Sequence, residues 1–227
     1  PLTLNLITPP IPPNVKAHFP LLIYVPDIDE HNMVKIDERF AQMLEIAKRG
    51  YAVALVSYRT TADVTAMVKD IHSATRFLLD HAFKYDLDPY RYLLFGEGLG
   101  GYLSSLSILD QGQQRSNDED VRRSPLRYKG GLLLETSLTP HPFSGPFLSE
   151  LLLQNSQKLP PILILNGTAD HTLTDKQATE LLTTIQARGS EVSLFNFEGA
   201  TLSSDAFFTP YSLDFLFEFI KHSFTKK

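Results

Sequence analysis

The chain has 227 residues, of which 43% are hydrophobic and 21% are charged, a composition typical of a globular protein with one sizeable core. Its formal net charge of -5 gives no reason to expect a nucleic acid or an anionic membrane as a partner. The chain contains no cysteine, which excludes disulfides, thiol catalysis and cysteine-ligated metals and favours a cytoplasmic location, and no apolar run reaches the roughly 20 residues of a membrane span.

Apolar stretches with strand character alternate with stretches of helical periodicity along the chain. The pattern predicts strands at 2–6, 20–25, 51–56, 92–95, 131–134, 161–165 and 192–197. Apolar residues at helical spacing predict helices at 36–47, 64–83, 102–109, 148–153, 176–187 and 213–219. Strands that alternate with helices favour an α/β fold with a mostly parallel sheet and helices on both faces.

The organisation between these elements favours a single domain over 1–227, because no internal repeat and no domain boundary is visible. The prolines of 9–13 predict an extended connector. Residues 110–127 are polar and charged and predict a solvated loop. The proline-containing stretch 138–160 predicts a short cap that includes one helix.

The most informative stretch is 92–101, which reads Tyr-Leu-Leu-Phe-Gly-Glu-Gly-Leu-Gly-Gly. It predicts a buried strand, a sharp glycine turn and the start of a helix, which is the layout of a nucleophile elbow with the pattern G-x-S-x-G. The middle position, where a serine would be held at the tip of the turn, is Gly98. Because glycine carries no hydroxyl, the sequence predicts the elbow of an esterase without its nucleophile.

Three ordered stretches resemble motifs of the α/β-hydrolase superfamily, in particular the small carboxylesterase and lipase group that includes hormone-sensitive-lipase-like and feruloyl-esterase-like enzymes. Residues 49–59 are similar to "R-G-Y-x-V … Y-R", and residues 88–101 resemble "D-P-x-R … G-E-S-A-G-G". Residues 161–170 resemble "P-P-x-L-I-x-H-G-T-A-D". The resemblance runs from about Leu21 to the C-terminal helix and implies an α/β-hydrolase fold with a short cap.

Carried over position by position, the resemblance implies a degenerate catalytic triad. The family's serine falls on Gly98 and its acid on Asp170, while its histidine, which lies in a "G-A-G-H" turn, falls on Leu202 of the turn 199–202. The order serine, acid, histidine is kept, but only the acid survives. Asp170 also has a structural explanation, since an aspartate at this place can cap the following turn or helix.

The oxyanion loop of the family is altered as well. Its His-Gly-Gly segment corresponds to Pro-Asp-Ile-Asp at 26–29, where the proline has no N–H and the aspartates place carboxylates where an anion should be stabilised. Loss of both the triad and this loop makes even residual catalysis doubtful. We expect the pocket and its oxyanion loop to be formed by Asp27, Ile28, Asp29, Glu97 and Leu99, although Glu97 also suits a purely structural role.

Some residues offer alternatives to the lost groups. His171 could act as a displaced base, and Asp27, Asp29 and His31 could form a cation site with Asp170, although a solvated acidic loop explains the same residues. A serine elsewhere could replace the nucleophile, although none lies on an elbow and each is explained as a helix or loop hydroxyl. The candidate serines are Ser104, Ser105, Ser137 and Ser203.

The sequence therefore predicts an esterase-like or lipase-like protein that is catalytically inactive and keeps a role in binding a small ester-like ligand or another protein, without cofactor or metal. The alternatives are a carboxylic ester hydrolase that acts through rearranged groups and a cation-dependent activity at the acidic loop. The aromatic C-terminus predicts a helix packed against the core, with a homodimer face as the alternative. Its aromatic residues are Phe207, Phe208, Tyr211, Phe215, Phe217 and Phe219.

Overall fold

A seven-stranded sheet forms the middle layer of the molecule in the computed structural model, which describes residues 2–11, 16–60, 63–112, 125–155, 157–169 and 173–226. The strands are β1 (Leu4–Ile7), β2 (Phe19–Val25), β3 (Ala52–Val56), β4 (Leu87–Glu97), β5 (Gly131–Leu134), β6 (Ile162–Gly167) and β7 (Val192–Phe197). The helices are α1 (Phe40–Lys48), α2 (Val64–Asp80), α3 (Leu99–Asp110), α4 (Leu148–Gln154), α5 (Asp175–Gln186) and α6 (Pro210–Thr225).

The strand order is β1-β3-β2-β4-β5-β6-β7, and only β1 runs antiparallel to its neighbour. This sheet, with helices on both faces, confirms the predicted α/β class with a mostly parallel sheet. In a parallel sheet the carboxyl ends of the strands meet at one edge, which is where open α/β sheets bind ligands. The loops that follow β2, β4 and β5 therefore come together around the glycine turn at the end of β4.

Alternation along the strands divides the core into two clusters, one on each face of the sheet. Leu21, Ile23 and Val25 of β2 belong to the cluster that α2, α3, α4 and α5 cover. Leu22 and Tyr24 belong to the cluster that α1 and α6 cover. Because both faces are buried, the inner strands read as continuous apolar runs, which is why the sequence reveals them so clearly.

Several predicted elements differ from the structure at their ends. Helix α1 begins at Phe40 instead of 36, because turns occupy 36–39, and α2 ends at Asp80 instead of 83. Strand β4 begins at Leu87, and its pairing with β2 shifts register between Phe19 and Leu21, so that Pro89 lies in an irregular stretch that does not require a ladder N–H.

The C-terminal helix also differs in extent from the prediction. Helix α6 begins with Pro210 and continues to Thr225, well beyond the predicted 213–219, and a 3₁₀ helix at Asp205–Phe208 precedes it. A proline at the first helical position explains this early start, since its missing N–H needs no partner there. The predicted cap contains α4, whereas residues 113–124 of the predicted polar loop lie outside the described residues.

No helix within the part of the chain that the structure describes combines the length and the apolar character that a bilayer crossing requires.

The start of α3 packs very closely against the end of β2. A Cβ atom built on Gly100 would lie 2.5 Å from the carbonyl oxygen of Pro26 and 2.7 Å from the carbonyl carbon of Val25. Both contacts are with backbone, which cannot rotate away as a side chain can. Only glycine at position 100 therefore lets the helix begin this near to the loop after β2.

We predict that Gly100→Ala lowers the free energy of unfolding by about 3 kcal/mol, because the added methyl group forces α3 away from β2. The control is Gly112→Ala, since a Cβ atom there meets nothing within 4 Å, and we expect it to change stability by less than about 0.5 kcal/mol. Urea denaturation of the two variants checks the prediction. Equal stability of the two variants would show that the close approach is not a real constraint.

Candidate functional site

The turn between β4 and α3 keeps the backbone geometry of a nucleophile elbow. Gly98, at its tip, has φ 55° and ψ -120°, close to the first central residue of a type II′ turn at about +60° and -120°. The Gly98 N–H donates to the carbonyl oxygen of Leu134 at 3.0 Å, and the Gly98 carbonyl oxygen accepts from the N–H of Ser137 at 3.1 Å. The turn is thus fixed against the end of β5, with a glycine where an elbow presents its nucleophile.

The space that a side chain at position 98 would fill is taken by Asp27. A Cβ atom built on Gly98 would lie 2.5 Å from Oδ2 of Asp27 and 2.6 Å from its Oδ1, with the Cγ atom nearer still. The N–H of Leu99 donates to Oδ1 of Asp27 at 2.9 Å. In an active elbow the N–H of the residue after the nucleophile is an oxyanion donor. Here that donor binds a carboxylate of the chain itself.

Burial and the neighbouring donors have opposite effects on the pKa of the Asp27 carboxyl group. Burial raises the pKa of Asp27, whereas hydrogen bonds from the N–H groups of Leu99 and Ile28 and the positive charge of Lys35 act in the opposite direction. The net shift is upward, so burial outweighs the donors. The charged carboxylate therefore occupies this position at a free-energy cost at neutral pH.

Glu97, the last residue of β4, lies on the other side of the elbow, in a buried ion pair. Nη2 of Arg39 is 3.1 Å from Oε1 of Glu97, both side chains are at most 4% exposed, and the hydroxyl of Tyr24 donates to Oε2. Arg39 also donates to the carbonyl oxygen of Leu202 and lies over the ring of Phe208. One guanidinium group thus connects the elbow to the turn that carries position 202.

The side chain of Leu202, which the sequence predicts at the histidine position, is part of the core. Leu202 is half-buried and packs against the cluster that α1 and α6 cover. Its turn is held by the N–H of Ala200, which donates to the carbonyl oxygen of Phe197 at 3.2 Å. The N–H of Thr201 donates to Oγ of Ser204 at 2.9 Å. A hydrocarbon in this position offers no atom that can accept a proton.

An open cleft of about 630 Å³ lies beside the elbow at the carboxyl edge of the sheet. One side is the 27–32 loop and the other is the segment 137–147 that leads into the cap, with Gln177 of α5. Asp27, Ile28 and Asp29 line it as predicted pocket residues, together with Glu30, Ser137 and His141. Leu99 meets Asp27 through its backbone, and Glu97 faces Arg39 instead of the cleft.

Comparison with known proteins identifies the family. The family model BD-FAE matches residues 10–129, just over half of the chain. The chain belongs to the BD-FAE family. Together with esterase relatives and neighbours of the same fold, this match confirms the predicted esterase-like group of the α/β-hydrolase superfamily.

Curated relatives of this BD-FAE protein include plant esterases. A probable isoprenylcysteine alpha-carbonyl methylesterase of Arabidopsis thaliana is 24% identical over 189 residues, which cover 69% of this chain and 40% of that protein. A probable enzyme of the same name from Oryza sativa subsp. japonica is 22% identical over 186 residues, which cover 69% of this chain and 45% of that protein. The chain thus spans less than half the length of the curated relatives that it matches.

Solved structures of esterases share the fold of the whole chain. Thermogutta terrifontis esterase 2 phosphorylated by paraoxon superposes with a TM-score of 0.80 at 19% identity and covers 100% of this chain and 91% of its own. Esterase B from Lactobacillus rhamnosis gives a TM-score of 0.75 at 21% identity, with coverage of 97% and 81%. A truncated carbohydrate esterase from gut microbiota gives 0.75 at 15% identity, with coverage of 98% and 91%.

The remaining candidate residues of this BD-FAE protein have different environments. Ser104 and Ser105 are buried in α3, and Ser203 is exposed. Ser137 alone among the candidate serines lines the cleft. The ring of His72, which is buried behind α3, lies 3.0 Å from the carbonyl oxygen of Ser107 through its Nε2 atom. Asp170 and His171, the predicted acid and the displaced base, lie outside the described residues.

A carboxylate oxygen of the acidic loop accepts hydrogen bonds from the backbone of the same loop. Oδ1 of Asp29 accepts from the N–H groups of His31 and Met33, both at 2.8 Å, and the bond from Met33 contributes most to a lowered pKa of Asp29. The residues that the structure describes contain no group of at least three His, Cys, Asp or Glu side chains that could hold a metal ion. Asp29 therefore shapes the loop in addition to lining the cleft.

Sequence reasoning overlooked one acidic residue near the site. Glu135 follows β5, is fully buried, has φ 44°, and accepts a hydrogen bond from the N–H of Gly167 at the end of β6. A non-glycine residue with positive φ is uncommon and often marks a site under constraint. No local pattern in the sequence distinguishes Glu135 from an exposed loop glutamate.

We predict that Glu97→Gln lowers the free energy of unfolding by about 3–5 kcal/mol, because it leaves the buried guanidinium of Arg39 without its counter-charge. The control is Glu218→Gln, which removes an exposed pair with Lys221 and is expected to change stability by about 0–1 kcal/mol. Urea denaturation of both variants provides the comparison. A loss below 1 kcal/mol for Glu97→Gln would contradict the buried pair.

We predict that Asp27→Asn raises stability at neutral pH and that its advantage shrinks in acid. Because the native pKa of Asp27 lies above its unfolded value, the native state binds more protons, and the stability of the wild type falls as the pH rises through that window. Asparagine keeps an oxygen acceptor for Leu99 but carries no charge. Thermal unfolding of both proteins over about five pH units, from about pH 3 to about pH 8, checks this prediction. A difference in stability between the two proteins that does not change with pH would contradict it.

Proposed function

We propose that this BD-FAE protein does not hydrolyse esters and that it keeps its cleft as a binding site for a small, uncharged ester-like ligand or for a segment of another protein. The observation that carries the proposal is Gly98, which stands with elbow geometry at the tip of the turn but has no hydroxyl. An elbow works by exposing a nucleophile at this point. Without one, a covalent acyl intermediate cannot form there.

The base and the oxyanion donor support the same proposal. Leu202 supplies a hydrocarbon where the family has its histidine, so no side chain at that position could activate a nucleophile even if one were present. The Leu99 N–H is already hydrogen-bonded to Asp27. Removing one oxyanion donor from an active enzyme costs about 3–4 kcal/mol of transition-state stabilisation, and a carboxylate beside the donor adds repulsion to a developing anion.

The binding role rests on the cleft itself. It has about 630 Å³ of space and lies where open α/β sheets bind ligands. Its walls combine the carboxylates of Asp29 and Glu30 with the apolar groups of Leu138 and Phe147. An anionic ligand would be repelled by the acidic wall, whereas an uncharged molecule with an apolar part can use both sides.

Ser137 is the specific residue behind the second candidate function, an ester hydrolase with rearranged groups. It lines the cleft together with His141, and its N–H is bonded to the carbonyl oxygen of Gly98, so it stands directly beside the elbow. A hydroxyl and a base in one cleft are the minimum for such a reaction. This candidate predicts turnover that depends on Ser137.

Location and association follow from other features. The lack of cysteine supports the cytoplasm as the proposed location. The proposed homodimer face would use the exposed Tyr211 and the half-buried Phe215, since Phe207 and Phe217 are buried and Phe208 and Phe219 pack against the core.

We expect no hydrolysis of short-chain nitrophenyl esters above the buffer rate by the wild-type protein. We also expect Gly98→Ser to remain inactive, because Leu202 supplies no base to the new hydroxyl, and Gly98→Ser with Leu202→His to reach weak activity at most. The rate of nitrophenol release at saturating substrate gives the activity of all three proteins. Substantial turnover by the single variant would show that the base lies somewhere other than position 202.

The same assay separates the two candidate functions through variants of the wild type. Turnover that disappears in Ser137→Ala, but persists in the matched Ser203→Ala, would establish the rearranged hydrolase. Turnover that disappears in Asp170→Ala would assign a working role to the surviving acid. Either result would overturn the proposed loss of catalysis.

A further inference from the structure

The elbow of this chain already holds a carboxylate. Oδ1 of Asp27 accepts from the Leu99 N–H at 2.9 Å, the first donor of the 12-residue helix α3, and the same carboxyl group fills the volume beside Gly98. The end of an ester hydrolysis likewise places a carboxylate beside this donor and this volume. Asp27 therefore stands in the position, and makes the contact, of a bound carboxylic acid.

The loop that carries Asp27 is closed on itself and pressed against α3. The N–H of Lys35 donates to the carbonyl oxygen of Asp27 at 2.9 Å, and Ile28 pairs with Val34 as an antiparallel bridge. The close approach of Gly100 to the carbonyl group of Pro26 fixes the start of the loop. The backbone thus presents Asp27 to the elbow, where its carboxyl group accepts the hydrogen bond from Leu99.

We propose that Asp27 is a tethered carboxylate ligand of the elbow. It excludes external carboxylates from the Leu99 N–H in the wild-type chain, and its removal exposes a binding site for a short aliphatic monocarboxylate. A tethered group has a high effective concentration and needs no loss of translational freedom, so a free carboxylate of modest affinity cannot displace it. This inference deepens the proposed function, on which it rests, by naming the group that occupies the former catalytic centre.

The proposal requires that a side chain at position 98 and the carboxyl group of Asp27 exclude each other. The first experiment measures the melting temperatures of Gly98→Ser, Asp27→Ala and the double variant. Gly189→Ser is the control for a serine at positive φ in open space, because Gly189 has φ 69° and a Cβ atom there meets nothing within 4 Å. Both serine variants carry the strain of positive φ, but only the one at position 98 meets Asp27.

We expect Gly98→Ser to melt about 5 °C below Gly189→Ser. Adding Asp27→Ala should raise the melting temperature of Gly98→Ser by most of that difference, and it should not raise that of Gly189→Ser. Equal melting of the two serine variants, or an equal effect of Asp27→Ala on both, would overturn the mutual exclusion and the proposal with it.

The second experiment measures the binding of butyrate by calorimetry or by ligand-observed NMR. We expect Asp27→Ala to bind butyrate at least about tenfold more tightly than the wild type, since the Leu99 N–H and the volume beside Gly98 become available. Asp27→Ser serves as a second shortened variant if Asp27→Ala does not fold. Binding by the shortened variant that is no tighter than that of the wild type would overturn the proposal.

Two controls separate an exposed site from a simple change of charge. Glu30→Ala removes one carboxylate from the same cleft without touching Leu99, and Asp27→Asn removes the charge but keeps the volume beside Gly98 filled. We expect both to bind butyrate as weakly as the wild type. Tight binding by either control would show that charge, and not occupancy by Asp27, governs anion binding. Neither experiment measures turnover. Esterase activity of the wild type would therefore refute the proposed function, whereas the melting and binding results test only the role of Asp27.

Discussion

The buried pair of Arg39 and Glu97 connects the parts of the site that the sequence keeps far apart. The carboxylate belongs to the last residue of β4, the guanidinium immediately precedes α1, and the same guanidinium reaches the carbonyl oxygen of Leu202 after β7. A buried ion pair of this kind adds little net stability, because burial of both charges offsets their attraction. What it supplies is geometry, since each hydrogen bond is directional and the alternative is an unpaired buried charge.

This arrangement explains how the scaffold of an esterase can persist when catalytic positions change. The elbow is held by backbone hydrogen bonds to the end of β5, by the close packing of Gly100 on β2, and by the ion pair of Glu97 with Arg39. None of these interactions uses the side chain at position 98. A non-glycine residue held at such an angle costs about 1–3 kcal/mol of backbone strain, which an active enzyme tolerates for its nucleophile. Glycine carries no such strain, so once catalysis is dispensable the substitution is favourable to stability.

The parts of the molecule that the sequence predicts well are those governed by local patterns. The strand at 131–134 matches β5 residue for residue, and the glycines of 96–101 predict the turn, because periodicity and glycine conformation are properties of neighbouring residues. The position of the Asp27 carboxyl group is different. It depends on a contact across 72 residues, and the pairing of Arg39 with Glu97 spans 58. No short motif records either contact, and the buried Glu135 lacks a local signal for the same reason.

The proposed loss of catalysis and the proposed retention of binding are physically compatible, because the two depend on different atoms. Turnover requires contacts that strengthen in the transition state, which in this fold are the nucleophile, its base and the donors to the oxyanion. Ground-state binding requires a shaped and partly apolar surface. The proposed changes lie at the elbow and at residue 202, whereas Leu138, His141 and Phe147 line the cleft. Changes that remove transition-state contacts therefore leave the walls that a ligand would touch in place.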